Sequence, residues 1–148
     1  MGGRSLRQRL LRDAPQRTFI LRLEKGDEVM EALASFAGSE GIRAAEISGI
    51  GAFESALIGF YNLEAKEYDR IPVDEETEVL SLLGNLSIAD DEPRVHAHVS
   101  LGRGDGSAMG GHLFEGRCGA TLELFVREEP GELRRAADPD VGLPLLDL

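Results

Sequence analysis

Residues 94–116 read RVHAHVSLGRGDGSAMGGHLFEG and contain all three histidines of the 148-residue chain. Hydrophobic and polar residues alternate from Val95 to Leu101, which is the period of a strand that buries one of its faces. His96 and His98 are therefore predicted on the polar face, about 6.6 Å apart along the strand. Two imidazoles at this spacing can close around one metal ion.

A glycine-rich turn, GRGDGS, leads from this strand to Gly110, Gly111 and His112. Glycine permits backbone angles that side chains forbid, so Gly110 and Gly111 are predicted to shape the return of the chain. In a simple antiparallel hairpin, His112 lies opposite His98 when the loop is centred at Asp105. The stretch thus predicts three imidazoles on one strand-turn-strand unit.

The sequence before this unit predicts one main helix. An apolar face recurs at helical spacing: Val29, Leu33, Phe36 and Ala37. Asp27 is the predicted N-cap, and Gly38 or Gly41 is predicted to end the helix.

Most other segments alternate like strands, at residues 18–23, 43–50, 55–61, 65–71, 77–88 and 117–127. The glycines after Ser48 predict a tight turn that makes a hairpin of 43–50 and 55–61. Gly84 is predicted to mark a bulge or the close approach of another backbone. One face of its strand is predicted to carry Leu80, Leu82, Leu86 and Ile88.

Sequential strands with short turns and one early helix predict a single-domain α+β fold with a largely antiparallel sheet of about seven strands. We expect a flexible, Arg-rich segment at 1–16, the folded domain at 17–128 and a C-terminal tail at 129–148. A long, half-polar sheet face is typical of a subunit contact, so an oligomer is expected.

The net charge is −11, and residues 18–148 carry 11 basic and 26 acidic residues. Nucleic-acid binding depends on many Lys and Arg that neutralise phosphates, so nucleic acid is not expected as a partner of this acidic body.

Cys118 is the only cysteine, which excludes an intrachain disulfide, and it is predicted to be a small buried hydrophobe. The sequence has no apolar run of membrane-spanning length and no secretory signal, so we expect no membrane partner and a cytoplasmic location.

Three histidines with an open fourth position suit zinc, in a catalytic rather than a structural site. His96, His98 and His112 are the predicted ligands, and Glu115 is a candidate acid or base. The alternative is that the histidines line a polar sheet face or a subunit contact without a metal.

Three segments, SGIGAFESALIGFYNLEAKEY, EVLSLLGNLSI and VHAHVSLGRGDGSAMGGHLFEG, resemble the stand-alone prokaryotic branch of the plants and prokaryotes conserved (PPC) domain. The resemblance covers about residues 18–127 and implies an α+β fold and a homotrimer. In plants the domain follows an AT-hook, an Arg-Gly-Arg-Pro element that enters the DNA minor groove. This chain contains no such element and its body is acidic, so the DNA-binding role of the plant proteins transfers poorly to it.

At the level of the fold, the domain is also similar to acetolactate decarboxylase, which holds zinc with an HxH pair and a third downstream histidine. His96, His98 and His112 match those ligands in type and order, although the gap to the third histidine differs. The resemblance leads to two hypotheses: a trimeric zinc protein that binds or transforms a small polar molecule, or a non-enzymatic DNA-associated or regulatory module. Whether the protein is an enzyme is left open.

Overall fold

The computed structural model describes residues 7–14 and 16–148 of the chain. These residues form one helix and nine strands of a single sheet, in the order β1 (Arg7–Ala14), β2 (Gln16–Leu23), α1 (Val29–Glu40), β3 (Ala45–Asn62), β4 (Glu67–Val73), β5 (Thr77–Ala89), β6 (Glu92–Gly102), β7 (Ala108–Glu128), β8 (Arg134–Asp138) and β9 (Leu143–Asp147). The α+β class, the single helix and the antiparallel sheet are confirmed.

Helix α1 buries the apolar face that the sequence predicts, Val29, Leu33, Phe36 and Ala37. Its N-cap is Glu28 rather than Asp27, because the Glu28 carboxylate accepts a hydrogen bond from the Glu31 backbone N–H at 2.8 Å. The helix ends at Gly41, whose φ of 66° is in the left-handed region that glycine adopts at little cost.

The predicted hairpin of 43–50 and 55–61 is wrong, because both segments belong to the continuous strand β3. Residues on either side of Gly51 pair antiparallel with the same neighbour, β7. The pairing register shifts at Gly51, which has a φ of 155° and would place a Cβ 2.2 Å from the Thr121 carbonyl oxygen. The glycine therefore bends a long strand instead of turning the chain back.

Four long strands form the centre of the fold. The pairs β3–β5, β5–β6, β6–β7 and β7–β3 are all antiparallel. The four strands are therefore linked in a closed ring of pairings. Their inward side chains and the buried face of α1 make the core, which contains Phe53, Ile47, Leu82, Leu101 and Leu122. Burial of such side chains stabilises the fold by roughly 1.5–3 kcal/mol each.

Strand β5 departs from the predicted pattern at one position. Leu82, Leu86 and Ile88 are buried together, but Leu80 is 53% exposed. The pairing with β6 shifts register between Val79 and Ser81, and this irregularity turns Val79 inward and Leu80 outward.

Both terminal segments contain strands. Residues 7–14 form β1 and pair with β2. Part of the segment predicted to be flexible therefore has secondary structure. In the predicted tail, β8 and β9 form a hairpin that joins β5 through a single parallel pairing of Ile88 with Arg134. The proposed boundaries at 16/17 and 128/129 stay predictions.

Among the described residues, α1 is too short and too polar to cross a membrane.

Gly84 tests how tightly β5 and β6 approach each other. A Cβ at this position would lie 2.2 Å from the His96 carbonyl oxygen, so the predicted close approach of another backbone is confirmed. We expect Gly84→Ala to lower the free energy of unfolding by about 1–3 kcal/mol, as measured by urea denaturation. Gly104→Ala is the matched control, since nothing lies within 4 Å of its Cβ position. Equal stability of the two variants would contradict the close approach.

Candidate metal centre

Strands β6 and β7 position the three histidines. His98 of β6 pairs directly with His112 of β7, and Gly102 pairs with Ala108. The five loop residues between the strands, 103–107, therefore centre at Asp105, as the sequence predicts. Asp105 Oδ1 fixes the loop by accepting hydrogen bonds from the backbone N–H and the hydroxyl of Ser107 at 2.9 and 2.5 Å.

The three imidazoles converge on one another. One ring nitrogen from each of His96, His98 and His112 lies within 4.8 Å of the others. Nε2 of His96 and Nε2 of His98 are 3.3 Å apart. His98 is exposed, whereas His96 and His112 are partly buried, so the cluster lies at the edge of the folded domain.

Gly110 and Gly111 shape the site in a different way from the one predicted. They lie inside β7 and not in a turn. A Cβ at either position would be 2.5 Å from a carbonyl oxygen, that of Val99 for Gly110 and that of Gly59 for Gly111. The two glycines are therefore needed because β6 and β3 approach β7 too closely for a side chain just before His112.

His112 packs against two aromatic rings, which also contact each other at a centroid distance of 4.9 Å. The ring centroids of Tyr68 and Phe114 are 4.8 and 4.7 Å from that of His112. Burial, followed by the positive fields of His96, His98 and Arg70, lowers the pKa of His112 to about 4. Its Nδ1 atom is buried without a hydrogen-bond partner among the described residues. The imidazole is thus kept neutral, which is the form that binds metals.

His96 faces the C-terminal hairpin. Nη2 of Arg135, on β8, lies 3.4 Å from His96 Nδ1. Burial lowers the pKa of His96, and the neighbouring Arg135 and His98 lower it further. These effects favour the neutral form of this imidazole.

A cavity of about 380 Å³ opens beside His96 and His112. Two arginines, Arg94 and Arg135, and one tyrosine, Tyr68, contribute to its wall. None of these three residues is among those predicted from the sequence. Tyr68 and Arg135 come from β4 and β8, which only the folded sheet brings to the histidines, whereas Arg94 lies two residues before His96 on β6, where strand alternation could have indicated it. Glu115 is exposed and is not one of the described residues that line the cavity, so its acid or base role stays a prediction.

The donor set fits a zinc ion. Two nitrogens bound to one tetrahedral zinc at about 2.0–2.1 Å lie about 3.3–3.4 Å apart, and the Nε2 atoms of His96 and His98 are 3.3 Å apart. Three imidazole ligands leave one tetrahedral position open. His112 Nδ1 is an orphaned polar atom in the same cluster, so this ring has hydrogen-bonding capacity that the protein leaves unused.

The fold and the site define an antiparallel α+β domain with a surface cluster of three histidines. Residues 12–130 match the Plants and Prokaryotes Conserved (PCC) domain family. The match covers most of the chain, and the chain belongs to this family. The resemblance stated from the sequence is confirmed.

Two solved structures share this fold over nearly the whole chain. A metal-containing protein of Archaeoglobus fulgidus is 40% identical, with a TM-score of 0.84, and the match covers 97% of this chain and 98% of the other. A protein of Bacteroides thetaiotaomicron described as a putative DNA-binding protein is 29% identical, with a TM-score of 0.90, and the match covers 97% of both chains.

More distant comparisons concern only parts of larger proteins. Acetolactate decarboxylase of Bacillus subtilis is 15% identical, with a TM-score of 0.55, over 87% of this chain and 60% of the other. The predicted similarity to that enzyme therefore holds for the fold alone. The bifunctional protein GlmU of a Synechococcus strain is 27% identical over 133 residues, which is 89% of this chain but 20% of GlmU.

The titration of His112 tests the electrostatics of the site. In protein treated with a chelator, we expect the pKa of the His112 imidazole to be about 4, below its ordinary value of 6.5. The ring should therefore stay neutral until the pH falls to about 4. Because the pKa is lower in the folded state, the unfolded chain takes up this proton first as the pH falls. The contribution of His112 to stability is thus fully present above about pH 6.5 and declines towards pH 4.

The measurement is an NMR titration of the imidazole signals, assigned by comparison with His112→Gln. A midpoint for His112 near 6.5 in the folded, chelated protein would contradict its partly buried setting against Tyr68 and Phe114.

Proposed function

We propose that the protein is a zinc protein that binds or transforms a small polar molecule, with His96, His98 and His112 as the metal ligands. The observation that carries the proposal is the convergence of three imidazoles beside a cavity of about 380 Å³. The metal-containing relative of Archaeoglobus fulgidus, 40% identical, supports it.

When bound, zinc would supply a Lewis acid at the mouth of the cavity. The protein itself contributes the orientation of the ligands. Pairing of β6 with β7 sets His98 against His112, and the aromatic rings of Tyr68 and Phe114 hold His112. Tyr68 and Phe114 also line the cavity, so a ligand bound there would lie against these rings and beside His96 and His112. Whether a reaction follows binding depends on an acid or base near the metal. Glu115 remains the sequence-based candidate for this role, although it does not line the cavity.

The protein is further proposed to be a homotrimer with the metal site near a cleft between subunits. Direct pairing across the sheet places Phe125, Ser48, Leu83 and His98 in one row on the same face. Leu83 is 58% exposed and Phe125 is 38% exposed. Contact with other subunits along this row would bury both side chains and bring a neighbour to the edge of the histidine cluster.

The second candidate is a non-enzymatic, DNA-associated module, which the description of the Bacteroides thetaiotaomicron structure favours. The net charge of −11 opposes it, because DNA affinity depends on positive charges that displace counterions. The basic residues that suggest a DNA contact, Arg4, Arg7, Arg9 and Arg12, are confined to the N-terminal segment. The zinc-binding function is therefore preferred.

Metal content tests the preferred function directly. We expect protein purified without a nickel column and equilibrated with zinc to retain about one zinc ion per chain after desalting, as measured by elemental analysis. The double variant His96→Ala/His98→Ala removes two of three nitrogen ligands and should lose the ion.

Ser100→Ala is the matched control, since Ser100 lies on the same face of β6 two residues beyond His98. This variant should bind zinc as the unchanged protein does. Absence of zinc in the unchanged protein, or equal zinc in the double histidine variant, would refute the metal site.

Subunit association is tested by placing a charge in the exposed row. We expect Leu83→Glu to convert the trimer to monomers in sedimentation experiments, because a carboxylate is costly to bury in an apolar contact. Leu63→Glu is the control, since Leu63 is 62% exposed in the turn after β3 and outside the row. A trimer that persists in Leu83→Glu would place the interface elsewhere, and a monomeric unchanged protein would exclude the assembly.

A further inference from the structure

The C-terminal hairpin forms one wall of the cavity beside the histidines. This hairpin of β8 and β9 begins at Arg134. It therefore lies beyond residues 12–130, the range that matches the PCC family. From this hairpin Arg135, Leu143, Pro144 and Leu145 line the cavity. One wall of the cavity therefore lies outside the range that matches the family.

Arg135 is held in the wall by neutral partners. Its Nε donates to the Ser87 hydroxyl at 2.8 Å, and its Nη2 donates to Asn85 Oδ1 at 2.9 Å. Its Nη1 donates to the Pro144 carbonyl at 3.1 Å. None of the described residues places a carboxylate within ion-pair distance of this guanidinium. Its positive charge is thus oriented by contacts with two strands, β5 and β9, and neutralised by none of them.

A second guanidinium adds to the positive charge of the cavity. Arg94 also lines it and lies close enough to Arg135 to lower the pKa of that group, after the larger effect of burial. Among residues 16–148, no carboxylate pairs with Arg94 either. Two cations at a half-enclosed site in a protein of net charge −11 create a local preference for an anion.

Besides the arginines, Tyr68 and the two histidines His96 and His112, the wall has a large apolar part. Leu143, Pro144 and Leu145 come from the hairpin, and Phe114 and Val95 come from the sheet. A ligand that satisfies both parts of the cavity carries an anionic group at one end and a hydrocarbon portion at the other. Arginine forms two parallel hydrogen bonds with a carboxylate, and such charge-assisted pairs are stronger than neutral ones.

Zinc binding would leave Arg135 with an unused donor. His96 Nε2 faces His98 Nε2, so Nε2 is the atom of His96 that turns towards the other ligands. An imidazole that gives Nε2 to a metal carries its proton on Nδ1 and cannot accept a hydrogen bond there. The contact of Arg135 Nη2 with His96 Nδ1 is then lost, and that N–H becomes available to a ligand.

We propose that this cavity binds a small organic acid, with Arg135 as the group that binds the carboxylate and the C-terminal hairpin as the wall that selects its hydrocarbon portion. The inference rests on the proposed function, because the bound acid lies beside the three histidines. It adds the chemical class of the ligand and the residues outside the family match that recognise it.

The probe is hexanoate, compared with its neutral counterpart hexanamide and with the shorter acid acetate. Dissociation constants are measured by NMR titration of zinc-loaded protein and of chelator-treated protein. We expect hexanoate to bind more tightly than acetate, because of the apolar wall, and hexanamide to bind at least about tenfold more weakly than hexanoate. Arg135→Gln should weaken hexanoate binding about tenfold or more.

Arg134→Gln is the matched control on the same strand. Arg134 pairs with Glu132 and with Asp91 and does not line the cavity, so this variant should bind hexanoate as the unchanged protein does. Leu145→Ser is a second variant that keeps Arg135. It should reduce the preference for hexanoate over acetate without weakening acetate, and so it tests the hairpin if Arg135→Gln fails to fold.

The outcomes separate this inference from the metal site. Equal binding of hexanoate and hexanamide, or hexanoate binding that Arg135→Gln leaves within twofold, overturns the inference even when zinc is bound. Hexanoate binding that depends on Arg135 in a protein without affinity for zinc supports the carboxylate site and overturns the proposed metal function.

Discussion

Pairing of His98 with His112 across β6 and β7 is the constraint on which the site depends. A loop of five residues centred at Asp105 fixes this register, and a shift of one residue would turn His112 to the opposite face of the sheet. Gly110 and Gly111 allow β7 to approach its neighbours closely enough for the pairing to form. The three imidazoles are therefore set by backbone hydrogen bonds, and the fold and the site share one set of interactions.

The same strands connect the site to the core and to the surface. Val99 and Leu101 of β6 point into the core, whereas His98 lies on the outer face beside Leu83 of β5. Burial of the inner residues keeps β6 in place, and the outer row leads from the histidines to exposed apolar side chains. A metal at the cluster, a partner subunit on the row and a ligand in the cavity would thus act on neighbouring parts of one sheet. The cavity differs from the histidine cluster and from the exposed row because one of its walls comes from the C-terminal hairpin.

Local sequence patterns were enough to predict many of the structural elements. The face of α1, its end at Gly41, the strand that carries His96 and His98, and the loop centre at Asp105 follow from periods and turn residues. The predicted turn near Gly51 was wrong, because the sequence pattern of a glycine that bends a strand is the same as that of a glycine that reverses the chain. Only the pairing with the neighbouring strand distinguishes the two. Arg135 and Tyr68 were missed for a related reason, since their proximity to the histidines depends on strand pairings between distant parts of the chain.

The central claim is that His96, His98 and His112 bind one zinc ion together. X-ray absorption at the zinc edge of the loaded protein measures the ligands of the metal without reference to any activity. The account predicts three nitrogen neighbours at about 2.0–2.1 Å with the signature of imidazole rings, and one further light atom. A spectrum with fewer than three imidazole nitrogens, or with sulfur in the coordination sphere, would contradict it.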